Sequence, residues 1–241
     1  LPLFISSLGA GGLAIGLIGG LSDGLPSLLK LLSGLWSDRL GKRKPLVAAG
    51  YSISAVGKLL LALATTWQQV FVFKTLERSG KGIRSAPRDA IIAESVPRER
   101  RGKGFGIHRA LDSLGAVIGS ILAYLLWQGG MDFRMIFIVA GIVAFVALLP
   151  LIPVKESFKS PVSCLRPSLS NLSPDLGHFV AIASLFALGN FSYMFFILRA
   201  QELFTGKMAI GAPLLLYVLF NLVYTFFSIP SGAWSDRVGR K

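Results

Sequence analysis

Ser33-Gly-Leu-Trp-Ser-Asp-Arg-Leu-Gly-Lys-Arg43 decides the fold, because nearly the same words return as Ser231-Gly-Ala-Trp-Ser-Asp-Arg-Val-Gly-Arg-Lys241. Ser33, Gly34, Trp36, Ser37, Asp38, Arg39 and Gly41 match Ser231, Gly232, Trp234, Ser235, Asp236, Arg237 and Gly239, and the basic positions between and after them exchange only Lys for Arg. Each copy follows an apolar run, so each reads as a short polar turn where the chain leaves a membrane. Two copies about 200 residues apart are too distant for a solenoid and suit a duplicated multi-helix bundle.

Composition agrees. Of 241 residues, 53% are hydrophobic and mean hydropathy is +0.64, more apolar and less charged than a soluble domain. The partner this predicts is a lipid bilayer. The net charge of +13 is not a nucleic-acid signature, because Lys and Arg concentrate in short turns between apolar runs, where the positive-inside rule explains them. Cys164 is the single cysteine, which excludes an intramolecular disulfide, and His108 and His178 are too far from it in sequence to make a metal constellation. No nucleophile–base pair is visible, so no enzymatic activity and no cofactor are expected. Leu1 is not a start methionine, and the last residues fall inside the second copy of the repeat. The expectation is a fragment of a longer protein.

Runs of roughly 20 apolar residues, long enough to span a bilayer, occur at 13–35, 45–66, 104–127, 133–154, 177–199 and 210–233. Residues 1–8 read as the end of an earlier helix. The turns at 38–44 and 97–103 each sum to +3, and 155–167 and 236–241 each to +2, whereas 66–69, 127–134 and 200–208 are neutral. The basic turns are therefore expected to be cytoplasmic, in a plasma (cell inner) membrane, with the neutral turns outside.

That assignment has a consequence for 69–95. Two basic turns on one side require an even number of crossings between them, so this segment must cross although it carries Lys74, Arg78, Lys81, Arg84 and Arg88. Five basic residues facing lipid would cost roughly 12 to 17 kcal/mol, so they must face inward. At about 100° per residue, Lys74, Glu77, Arg78, Lys81, Arg84, Arg88 and Asp89 occupy one arc of roughly 140°, while Leu76, Gly80, Ile83, Ala86, Pro87 and Ala90 lie on the other side. Such a helix is expected to line a water-filled cavity, with an ion-pair lattice as the structural alternative. Glu77 can partner Lys74 or Lys81 at helical spacing. Arg84 and Arg88 lack an acidic neighbour at that spacing, and are expected to be the main anion contact unless Asp89, Asp112 or an acid elsewhere neutralises them. The Pro- and Ser-containing stretch 155–176 is the expected cytoplasmic linker between a first bundle, 1–154, and the start of a second, 177–241.

At this point Gly34-Leu-Trp-Ser-Asp-Arg-Leu-Gly-Lys-Arg-Lys44 resembles the loop signature between the second and third helices of the major facilitator superfamily, and the second copy resembles the loop between helices eight and nine. The resemblance implies an all-α polytopic membrane bundle covering the end of helix one to the loop after helix eight of a twelve-helix, two-bundle fold. It implies a permease working by alternating access as symporter or antiporter, with a small-molecule substrate bound between the bundles. Its loops are gates that latch the outward-open state, here Gly34, Asp38, Arg39, Gly41 and Arg43 with Glu94, and Gly232, Asp236, Arg237 and Gly239. Glu94 is expected to pair with Arg39 or Arg43, and Asp236 to reach residues 102–106. Topology signalling alone is the plainer reading of Arg39, Lys42 and Arg43.

Lys74-Thr-Leu-Glu-Arg-Ser-Gly-Lys-Gly82 resembles the family's fourth-helix motif, with Lys74 in place of its Arg and Glu77 in place of its Gln. Gly115 and Gly119 resemble an exporter motif that lacks its Pro here, or form a packing face of small residues. Ionisable groups at membrane depth are functional candidates. Asp23, Glu77, Asp89 and Asp112 are accordingly the acids that could carry a coupling proton. The charged arc points to an anionic or zwitterionic organic solute; a hydrophobic-compound exporter, or a scaffold or sensor that does not transport, are the alternatives.

Overall fold

The computed structural model describes residues 1–154, 174–189, 194–206 and 208–238. Nine α-helices follow one another among them: α1 (Pro2–Ser7), α2 (Gly12–Leu40), α3 (Lys44–Ala62), α4 (Trp67–Ser95), α5 (Arg101–Gln128), α6 (Phe133–Val146), α7 (Pro174–Gly189), α8 (Met194–Leu203) and α9 (Met208–Val238). Short 3-10 turns occupy Arg98–Arg100 and Leu149–Leu151. No strand occurs among the described residues. α2, α3, α5 and α9, and α6 taken through Leu151, are long and apolar enough to cross a membrane. Leu122, Ile142, Phe220 and Phe226 are more than half exposed, as lipid-facing side chains of a membrane bundle are.

α4 is too polar to be one of these apolar helices, yet it packs among them. Its 29 residues extend about 43 Å at 1.5 Å per residue, and its contacts run from one end of the bundle to the other. Val70 packs in a cluster with Ile15, Ile18 and Leu61, the middle of the helix lies on α2 and α3, and Glu94 meets Arg43 near the basic turns. Thr66 caps its N-terminus by accepting from the Gln69 amide. Val96 turns extended ahead of Pro97 and ends it.

Small residues let the helices approach. A Cβ on Gly80 would lie 2.5 Å from the Gly50 carbonyl oxygen and 2.7 Å from the Ser54 amide nitrogen, so α3 and α4 touch backbone to backbone there. α2 ends at Gly41, whose φ of 62° and N–H bond to the Ser37 carbonyl form a left-handed C-cap.

One expectation needs correction, and two fall partly outside the described residues. The span expected at 177–199 coincides with α7 through Gly189 and α8 from Met194, and 190–193 lie outside the described residues. Of the linker expected at 155–176, residues 155–173 lie outside the described residues and 174–176 belong to α7. A Cβ on Gly115 or Gly119 would meet nothing within 4 Å, so the expected packing face is not packed among the described residues.

Candidate functional site

The charged arc of α4 faces a cavity of about 330 Å³ between α2, α4 and α5. α4 contributes Glu77, Arg78, Lys81, Arg84, Arg88 and Asp89, α2 contributes Ser22, Asp23, Ser27 and Lys30, and α5 contributes Arg109 and Asp112. Six cations thus face four carboxylates across one space. Lys74, expected here, does not line it.

The charges sort into three groups. Lys74 Nζ lies 2.6 Å from Glu77 Oε2, with Arg78 Nε 3.6 Å from the same oxygen, and all three side chains are at most 13% exposed. This trio is the ion-pair lattice that the sequence left as an alternative. In the second group, Asp89 uses both oxygens: Lys30 Nζ donates to Oδ2 at 2.9 Å and Arg88 Nη2 to Oδ1 at 3.0 Å. Arg88 therefore has an acidic partner, its own chain neighbour Asp89, which is the alternative the sequence left open for it. Helical spacing alone does not single out this pair, because adjacent residues on a helix point about 100° apart, yet a long guanidinium stem reaches across that angle.

Arg84 belongs to the third group. Its Nη1 donates to Ser54 Oγ at 2.6 Å, and its guanidinium carbon sits 4.4 Å above the centre of the Tyr51 ring. Ser54 has given its only hydroxyl proton to the Glu77 carbonyl, at 2.9 Å, so its lone pairs are left for Arg84. The guanidinium is oriented by a hydroxyl and an aromatic face, neither of which neutralises it, and its buried Nε has no hydrogen-bond partner among the described residues. Lys81, Arg109, Asp23 and Asp112 likewise make no ion pair among the described residues. Arg109 and Asp112, spaced for a pair on α5, do not form one. Tyr51 and Ser54 were missed by the sequence reading; their spacing with Lys58 on one face of α3, a polar stripe on an apolar span, was the signal available.

The second constellation lies where the basic turns are. Arg43 Nη1 stands 2.5 Å from Glu94 Oε1 and Arg43 Nη2 3.6 Å from Asp38 Oδ1. A Cβ on Gly34 would lie 3.5 Å from the Ala86 Cβ of α4, and Arg39 is in the last turn of α2. In the other copy, Asp236 Oδ1 accepts from the Gly102 amide at 2.7 Å and Oδ2 from the Lys103 amide at 2.8 Å. A carboxylate on the first-turn N–H groups of a helix caps orphan donors and complements the helix dipole. Gly232 packs against Gly102 in the same contact, which is the reach from α9 to residues 102–106 that the repeat led us to expect. Arg237 is in the last turn of α9; Gly239 lies outside the described residues.

The comparisons with known proteins follow the same lines. The family model described as Major Facilitator Superfamily matches residues 1–241. A protein of Methanocaldococcus jannaschii described as an uncharacterized MFS-type transporter is 47% identical over 248 residues, covering 100% of this chain and 62% of its own length. An uncharacterized protein of Mycobacterium tuberculosis is 33% identical over 117 residues, 48% of this chain and 29% of that protein. The multidrug resistance protein MdtH of Cronobacter sakazakii is 31% identical over 133 residues, 55% of this chain and 32% of that protein. The chain thus spans less than two thirds of the length of these relatives. No solved structure gives a significant match. With a family model covering every residue and an archaeal relative aligned along the whole chain, this protein belongs to the Major Facilitator Superfamily.

Proposed function

We propose that the full-length protein is a secondary active transporter that carries a small organic solute with an anionic group by alternating access, in symport with protons, and that the cavity between α2, α4 and α5 holds the solute. The observation that carries this reading is Arg84, a guanidinium fixed by Ser54 and Tyr51 with no carboxylate against it among the described residues. Lys81 lies one turn away on the same face. A planar fork with an open side suits a carboxylate or phosphate through paired hydrogen bonds. The basic turns are proposed to be cytoplasmic in the plasma membrane, and Asp236 and Asp38 to belong to the latches that hold one access state.

Asp89 is the proposed coupling acid. Neutralising it by a proton would release Lys30 on α2 and Arg88 on α4 together, so a proton and an anion would enter as a set. A second reading, export of hydrophobic compounds, is favoured by the relatives named as multidrug resistance proteins. Ten ionisable groups on one small cavity argue against it, because each would have to be desolvated by an apolar ligand. Five charges without ion partners among the described residues argue against a scaffold that does not transport.

The test is uptake of radiolabelled carboxylates by the full-length protein in liposomes, with and without an inward proton gradient. Arg84→Gln should lower uptake about tenfold or more, the loss expected for one charged hydrogen-bonding group. Asp89→Asn should retain uptake but lose its stimulation by the gradient. Unchanged uptake by Arg84→Gln at normal membrane abundance would remove the anion seat, and gradient-driven efflux of a lipophilic dye with no carboxylate uptake would favour the exporter.

A further inference from the structure

Once the two ion-paired trios are set aside, the charges left on the cavity wall are of both signs. Among the described residues, Lys81 and Arg84 on α4 and Arg109 on α5 are cations without an ion partner; Asp23 on α2 and Asp112 on α5 are acids without one. Opposite charges that share a cavity and still do not pair leave a space that offers a ligand groups of both signs. An anion alone would satisfy the cations and leave both acids facing a ligand of their own sign.

Ser22 supplies the second, independent sign of a ligand. It lines the same cavity beside Asp23, is 3% exposed, and its Oγ has no hydrogen-bond partner among the described residues. A buried hydroxyl left unmade is unfavourable, and native structures complete such groups. α2 also packs closely on α4 beside the cavity: Pro26, one turn from Ser22 and Asp23, lies 3.0 Å from a Cβ position on Gly82, the residue next to Lys81. The acids and the cations thus line one small cavity, within the reach of a metabolite and short of a drug-sized molecule. The volume, about 330 Å³, is likewise at the floor of the roughly 300–1,000 Å³ of small-molecule pockets.

We infer that Ser22, Asp23 and Asp112 form an ammonium subsite facing the anion seat of Lys81, Arg84 and Arg109, so that the solute is an amino dicarboxylate, with one ammonium and two carboxylates. This rests on the reading of the cavity as the solute site. It also explains the positive excess of the wall, which matches a zwitterion of net negative charge better than a neutral one.

The experiment is calorimetric binding to the full-length protein in lipid nanodiscs, with L-aspartate, L-glutamate and L-2-aminoadipate, each against its counterpart without the amine: succinate, glutarate and adipate. At least one amino diacid should bind about tenfold or more tightly than its counterpart, the difference expected of a charge-assisted hydrogen bond. Asp23→Asn and Asp112→Asn should abolish that preference while the amine-free diacid binds at least as tightly as before, since a charge of its own sign is removed, which also shows that the variants are folded. Ser22→Ala should weaken the amino diacid only. Equal binding of the two series overturns the ammonium subsite and leaves the anion seat standing. An equal loss of both series in the Asp variants assigns the acids a structural role and overturns it as well. No binding of either series by folded protein overturns both this inference and the reading it rests on.

Discussion

Glu77→Gln is expected to be the most damaging single change in the bundle, lowering stability by about 3 to 5 kcal/mol, the usual consequence of removing one partner of a buried ion pair. Glu77 is 6% exposed and is the carboxylate shared by Lys74 at 2.6 Å and Arg78 at 3.6 Å. Without it two cations remain in the interior of a membrane helix, where each would need a new partner or water. The measurement is the unfolding midpoint of detergent-solubilised full-length protein, alongside its abundance in membranes. The double variant Lys74→Met with Glu77→Leu should lose clearly less than Glu77→Gln, because it removes the pair and its desolvation together. If the single variant unfolds within about 1 kcal/mol of the parent, the trio is a solvated surface cluster and not a buried lattice.

Gly80→Val comes next. A Cβ there would stand 2.5 Å from the Gly50 carbonyl oxygen and 2.6 Å from Ser54 Oγ, and backbone cannot yield as a flexible side chain can. Overpacking of this kind costs about 1–3 kcal/mol and sometimes more. It should also disturb transport, since separating α3 from α4 withdraws Ser54 and Tyr51 from Arg84. Gly115→Ala is the matched control. It sits in a helix of similar length with open space at the Cβ position, so it should be neutral or stabilise by about 0.5–1 kcal/mol through helix propensity. Equal effects of the two substitutions would contradict the close α3–α4 contact.

How much of this was legible beforehand differs by level. The repeat at 33–43 and 231–241, the alternation of basic and neutral turns, and parity were enough to expect a charged helix at 69–95 packed among apolar ones, as α4 is. They were enough because topology is a global constraint that one sequence carries in full. The cross-bundle contact of Asp236 with residues 102 and 103 was legible for the same reason, as a consequence of duplication. Pairing inside the cavity was not. Lys30 with Asp89 across 59 positions, and the choice of Asp89 among the acids open to Arg88, depend on side-chain reach and on how closely Gly82 lets α4 approach α2, neither of which periodicity encodes.

The central claim is that one cavity is open to the two sides of the membrane in turn. Ser27 lines it and is exposed, so a cysteine at this position, in an otherwise cysteine-free full-length protein, reports its access directly. Gln68→Cys and Lys103→Cys serve as references for the outside and the cytoplasm. With the Asp236 contact to the Gly102 and Lys103 amides intact, Ser27→Cys should react with a membrane-impermeant thiol reagent from the side of Gln68→Cys, and an added amino diacid should slow the reaction. Adding Asp236→Ala, which removes the α5 cap, should transfer much of the labelling to the side of Lys103→Cys. Labelling from one and the same side in both backgrounds, whatever the solute, would contradict alternating access at this cavity.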